Sequence, residues 1–210
     1  NDTVCLGQAV TLSTTPFSSY NWSNSTFNNS TSVNPTSTNN TFSITVTDAN
    51  GCEGDTSINI VVNGLPAASI TANQSICLGD QVTLNATGGV NYAWSSGENT
   101  ASIYKTPANL GVTTYTVTIT GTNGCNETKS VDVTVNNLPN VSLTSSETAV
   151  CIGDSSILTA SGGISYVWNF GSGSSTETVF PASNTSYSVT ATDANGCSND
   201  ASVNITVDSL

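Results

Sequence analysis

Fourteen carboxylates and six cysteines carry most of the reactive or ligating chemistry in this sequence. There is no histidine, and the only two basic side chains are Lys105 and Lys129. Serines are abundant, but without an imidazole or a nearby lysine none has a base to activate it. A pair of carboxylates working as acid and base is the remaining route to hydrolysis. No acidic pair recurs at a common place in all three of the repeats set out below. The expectation is therefore a protein that is not an enzyme and needs no cofactor.

The cysteines are Cys5, Cys52, Cys77, Cys125, Cys151 and Cys197. Zinc sites call for closely spaced Cys-x-x-Cys pairs or nearby histidines, and here each cysteine is 25 or more residues from the next. Disulfides are the better use of such spacing. Long gaps of 46–48 residues alternate with short ones of 25–26, as three repeats with two cysteines each would produce. Pairing within each repeat, Cys5 with Cys52, Cys77 with Cys125 and Cys151 with Cys197, would close loops of nearly 50 residues. On the chain-entropy model each such bridge contributes about 4 kcal/mol. Bonds of this kind persist outside the cytoplasm, so an extracellular or outer-surface location is expected.

A calcium site is the sharpest ligand hypothesis. Asp48 and Asp55 flank one turn, and Asp193 and Asp200 flank its counterpart. Two carboxylates and turn carbonyls could supply part of the six to eight oxygens Ca²⁺ takes. The competing role is simpler: an Asp opening a turn caps its own backbone.

Flanking residues fix the repeat register. Cys5-Leu6-Gly7-Gln8, Cys77-Leu78-Gly79-Asp80 and Cys151-Ile152-Gly153-Asp154 open three units. A Tyr-x-Trp follows in each, at Tyr20 and Trp22, Tyr92 and Trp94, and Tyr166 and Trp168. Each unit then reaches an Asn-Gly-Cys turn, ending at Cys52, Cys125 and Cys197. The equivalent links Asn63-Gly64-Leu65-Pro66 and Asn136-Asn137-Leu138-Pro139 place domains at residues 1–64, 65–137 and 138–210. The shared leucine is expected to plug the joint. Repeats two and three each have an opening strand after the proline. The first has only four residues before Cys5, which predicts that its opening strand is missing and that the chain is a piece of something longer.

Apolar residues alternate with period two, as in Val82, Leu84 and Ala86, or Tyr115, Val117 and Ile119. Threonines on the intervening positions suit half-buried antiparallel strands. Six or seven short strands per repeat, with no helical period, predict an all-β Greek-key sandwich of immunoglobulin-like type, three in tandem as an extended rod. Trp22, Trp94, Trp168, Tyr115 and Tyr187 are expected in the cores, which weighs against the tryptophans forming a sugar-stacking platform.

The net charge is −12 with no arginine, so nucleic acid is an unexpected partner. No run approaches the roughly 20 apolar residues of a membrane span, so membrane insertion is not expected. The segment from Asn24 to Asn40 is long and polar, and is the candidate loop for a surface ligand such as a polysaccharide.

The Cys-Leu-Gly-Asp opening, the run from Tyr92 through Trp94 to Gly97, and the Asp-Ala-Asn-Gly-Cys turn resemble the Ig-like and PKD-like (polycystic kidney disease) repeats of Bacteroidota cell-surface proteins, including gliding-motility adhesins. In the third repeat Trp168-Asn169-Phe170-Gly171 is similar to the PKD Trp-Asp-Phe-Gly, with Asn169 in place of Asp. The resemblance implies type IX secretion, display on the cell surface, a spacer or adhesive role, and further repeats of the same parent chain as neighbours. Related repeats also accompany secreted enzymes. Asp2-Thr3-Val4 and Asp208-Ser209-Leu210 are similar to the O-glycosylation pattern of the same bacteria.

Overall fold

The computed structural model describes residues 3–208. Among them there is no helix, and so none long and apolar enough to cross a membrane. The described residues form 21 strands. The first repeat holds β1 (Thr3–Cys5), β2 (Val10–Ser13), β3 (Ser19–Trp22), β4 (Ser30–Val33), β5 (Thr41–Thr47), β6 (Glu53–Asn59) and β7 (Val61–Asn63). The second holds β8 (Ser69–Ile70), β9 (Gln74–Cys77), β10 (Val82–Thr87), β11 (Asn91–Trp94), β12 (Ser102–Lys105), β13 (Gly111–Thr120) and β14 (Asn126–Asn136). The third holds β15 (Ser142–Ser145), β16 (Ala149–Cys151), β17 (Ser156–Ser161), β18 (Ser165–Trp168), β19 (Thr176–Val179), β20 (Thr185–Thr192) and β21 (Ser198–Asp208).

The third repeat shows the plan in full. One sheet has the order β15-β17-β19 and the other β16-β21-β20-β18. All pairings are antiparallel except that of the short β16 with the last strand β21. Two such sheets, face to face with these connections, make an immunoglobulin-like sandwich. The alternation explains it: Leu158 and Ala160 from one sheet and Trp168, Tyr187, Val189 and Ile205 from the other are buried together. Threonines and serines between them face out. The second repeat has the same order, β12-β10-β8 and β11-β13-β14-β9.

The first repeat departs from the plan at one edge. Its smaller sheet is β2-β4 alone, with no described strand where β8 and β15 lie in the others. Its core is Leu12, Trp22, Val33, Phe42, Ile44 and Ile60. Beside the free edge of β2 is a groove of about 320 Å³, whose lining includes Leu12, Trp22, Phe42 and Ile58. The sequence differs at the matching turn for a physical reason. Gly88 and Gly162 take φ of 96° and 99°, and a Cβ there would lie 2.1 Å from the Ala67 carbonyl oxygen or 2.2 Å from that of Asn140. The incoming chain of those repeats thus demands glycine. The equivalent first-repeat residue is Pro16, and there no described strand stands in place of β8 and β15.

By compactness the described chain divides into two units. One comprises the residues up to Thr71 with Asn85–Ile103 and Thr116–Ser130. The other comprises Ala72–Leu84, Tyr104–Tyr115 and the residues from Val131 onward. The first repeat lies in one unit and the third in the other, while β10, β12, β13 and β14 run from one to the other.

Candidate functional site: the cysteine-bearing ends of the sandwiches

The Tyr-x-Trp motif is structural at both ends. Trp22, Trp94 and Trp168 are each 5% exposed or less, and their indole N–H groups donate to the carbonyls of Asn28, Thr100 and Ser174, six residues on, at 2.7–2.9 Å. The hydroxyls of Tyr20, Tyr92 and Tyr166 donate to the carbonyls of Phe17, Gly89 and Gly163, three residues back. Each motif therefore pins the loop before its strand and the loop after it. Tyr115 and Tyr187 are buried on the paired strands. These indoles offer no stacking face to a sugar.

The segment from Asn24 to Asn40 differs from the ligand loop expected. Its middle is β4, which pairs residue by residue with β2 and buries Thr31 and Val33, with Pro35 buried just beyond. The Asn24 amide donates to the Thr31 hydroxyl at 2.7 Å. Polar residues alternate with buried ones through β4 to Pro35, which the composition concealed, while residues 24–29 and 36–39 are mostly exposed.

The four aspartates offered for calcium do other things. The Asp48 carboxylate accepts the backbone N–H of Asn50 at 2.8 Å and of Cys52 at 2.9 Å. Those bonds, that from Cys52 foremost, hold its pKa below the usual carboxylate value. Asp193 makes the same two bonds to Asn195 and Cys197. Asp55 lies in the β5–β6 ladder opposite Thr45, and Asp200 in the β20–β21 ladder opposite Thr190. Among the described residues no group of three or more His, Cys, Asp or Glu side chains is placed to hold a metal. In each Asn-Gly-Cys turn only the glycine (Gly51, Gly124 or Gly196) takes a positive φ, and the preceding asparagine does not.

The cysteines are paired differently from the expectation of one bridge inside each repeat. Cys5 bonds Cys125, and Cys77 bonds Cys197, with Cα atoms 5.6 and 5.5 Å apart. Each bond thus joins the first cysteine of one repeat to the second cysteine of the next, and each lies within one compact unit. Among the described residues Cys52 and Cys151 carry no disulfide and are exposed.

Strand register gives the reason. The short strand bearing the first cysteine runs parallel to the last strand, and Cys5 stands opposite Asn63 at its far end. Cys52 stands just before the start of β6. About 11 residues of extended chain separate those two positions, roughly 36 Å. A disulfide needs Cα atoms within about 7 Å. Cys151 likewise faces Asp208, at the opposite end of β21 from Cys197. Each repeat carries its two cysteines at opposite ends, so they do not reach each other, and Cys5, Cys77, Cys125 and Cys197 instead bond across repeats.

The bridged ends are also tied by polar contacts. Asn123 donates its amide to the Gly64 carbonyl at 2.8 Å, and Asn199 to the Pro139 carbonyl at 3.1 Å. Cys125 and Cys197 are fully buried. The link leucine is not the expected plug, for Leu65 is 42% exposed and Leu138 half-buried. At the second link the buried residue is Pro139. On the chain-entropy model a loop of about 120 residues makes each bridge worth about 5 kcal/mol.

The O-glycosylation-like triplets fall partly outside the described residues, at Asp2, Ser209 and Leu210.

No family model matches the chain, and no curated protein matches it. Several solved structures are similar. The ICAM-5 ectodomain fragment is 14% identical, covering 99% of this chain and 74% of that one, with a TM-score of 0.45. Extracellular domains 3-5 of Drosophila OTK are 10% identical over 99% of this chain and 94% of that one, at 0.40. The fibronectin(III)-like modules of Clostridium thermocellum CbhA are 14% identical over 68% of this chain and 94% of that one, at 0.38. At scores this low the likenesses bear no weight, and the sandwich is read from the chain's own strand order.

Proposed function

We propose that the chain is a non-catalytic stalk segment of a secreted, surface-displayed adhesin. The observation that carries this reading is the disulfide pattern, which joins the end of one sandwich to the start of the next at two successive joints. Bonds so placed do little for a pocket and much for cohesion between modules under load. They suit an oxidising exterior. The residue motifs shared with Bacteroidota surface repeats support export by the type IX route and a part in attachment or gliding, with modules at 1–64, 65–137 and 138–210. Reach is then the function, and an elongated particle is expected. Small-angle scattering from the oxidised protein tests it. A pair-distance distribution skewed toward long distances supports the stalk, and the symmetric distribution of a compact globule refutes it.

A further inference from the structure

Cys52 and Cys151 are the same two positions whose equivalents are bonded elsewhere in this chain. The rule followed twice is that the first cysteine of a repeat bonds the second cysteine of the repeat after it, 120 residues on. Cys52 is a second cysteine and Cys151 a first cysteine, and among the described residues neither has the partner this rule assigns it. Both are exposed, whereas the bonded second cysteines Cys125 and Cys197 are fully buried. Around Cys151 the end of the sandwich is open: Ile152 is 64% exposed, and a cavity of about 410 Å³ is lined by Glu147, Val150, Cys151, Asp154 and Asp208. At the other end Asn50, the counterpart of the joint residue Asn123, is exposed beside Cys52.

We propose that Cys151 of one copy forms a disulfide with Cys52 of a second copy, so that oxidation joins copies of this chain head to tail. The contact is heterologous, since one end of the molecule meets the other end of the next, and such contacts extend without closing. The bond reproduces the local pairing already made twice inside the chain. What it lacks is the covalent link at residues 63–66 or 136–139, which holds intramolecular partners at high effective concentration. Joining copies therefore depends on the oxidant and on protein concentration. With an organic disulfide such as oxidised glutathione, the Cys151 thiolate attacks one sulfur and releases one glutathione thiolate. The Cys52 thiolate of the second copy then displaces the other glutathione. One Sγ–Sγ bond forms, two protons leave the cysteines, and the two electrons reside in two reduced glutathiones.

Two variants test this, Cys52→Ser and Cys151→Ser, each keeping both bridges already present. Incubated with oxidised glutathione and run without reductant, the unmodified chain gives a ladder of oligomers. Either variant alone stays monomeric. Their equimolar mixture gives a dimer and stops there, in at least about tenfold excess over the dimer from either alone. Mass mapping of that dimer finds the Cys52 peptide joined to the Cys151 peptide. Homodimers of each variant forming as readily as the mixed dimer, or no dimer at all, overturn the proposal. Because the bridges within the chain are untouched, this failure is distinct from a failure of the stalk reading.

Discussion

Pulling on the chain from its two ends should reveal that its two bridges interlock. The loops Cys5–Cys125 and Cys77–Cys197 overlap between residues 77 and 125. Once every sandwich has unfolded, the shortest covalent route from Cys5 to Cys197 crosses the first bridge, runs back along about 48 residues to Cys77, and crosses the second. At about 3.5 Å per residue that route is roughly 170 Å long. Removing the first bridge, with Cys5→Ser and Cys125→Ser together, leaves a route of about 72 residues, roughly 250 Å. Removing only the second, with Cys77→Ser and Cys197→Ser, leaves a route of the same length. Removing both frees about 192 residues, roughly 670 Å. Single losses thus add about 80 Å each, while the double loss adds about 500 Å. The assay is single-molecule force extension with handles at the two termini, in a Cys52→Ser, Cys151→Ser background that prevents joining of copies. That background itself should leave the limit near 170 Å. Additive gains, or a longer limit on losing Cys52 and Cys151 alone, would refute the interlocked arrangement and restore separate bridges within repeats.

Further expectations rest on other parts of the molecule. Gly162→Ala places a Cβ 2.2 Å from the Asn140 carbonyl oxygen at a φ of 99°, and should cost about 2 kcal/mol or more in a denaturant melt. Pro16→Ala in the first repeat, which has no described strand in place of β8 and β15, should cost far less. Asp48 has a folded pKa below its unfolded value, so its turn bonds are fully present above the unfolded pKa and lost as pH falls through the folded one. A carboxyl NMR titration should show its midpoint below the usual carboxylate value, with the Asn50 and Cys52 amides shifting in step; an ordinary midpoint contradicts this. Amide exchange should be faster in Val10–Ser13, which has a strand on one side only, than in Ser156–Ser161, which lies between β15 and β19. Equal protection of the two strands would count against an open edge in the first repeat.

Period-two alternation and the landmarks Cys-x-Gly, Tyr-x-Trp and Asn-Gly-Cys were enough to read three β-sandwiches, because burial of one strand face is a local property. The buried row Tyr115, Val117 and Ile119 was legible for that reason. The cysteine pairing was not, because it depends on which direction the first short strand runs. Read as antiparallel to its neighbour, that strand would carry Cys5 toward Cys52. Running parallel to the last strand, it carries Cys5 to the opposite end, beside Asn63. A signal did exist: Cys5, Cys77 and Cys151 each end a short segment at a glycine turn, whereas Cys125 and Cys197 stand just before the start of the final strand and Cys52 just before β6, which leads into it. The strand within the polar stretch from Asn24 to Asn40 was hidden for another reason. Buried Thr31 looks like surface in composition, and only its ladder with β2 shows otherwise. Gly88 and Gly162 against Pro16 was a legible difference whose meaning needed the approaching backbone.

Peptide mass mapping of the non-reduced protein, digested under conditions that prevent thiol exchange, bears most directly on the stapling of neighbours. The account requires the Cys5 peptide joined to that of Cys125, and the Cys77 peptide joined to that of Cys197, with Cys52 and Cys151 alkylated in the monomer. Recovery of Cys5 with Cys52, Cys77 with Cys125 and Cys151 with Cys197 would contradict it.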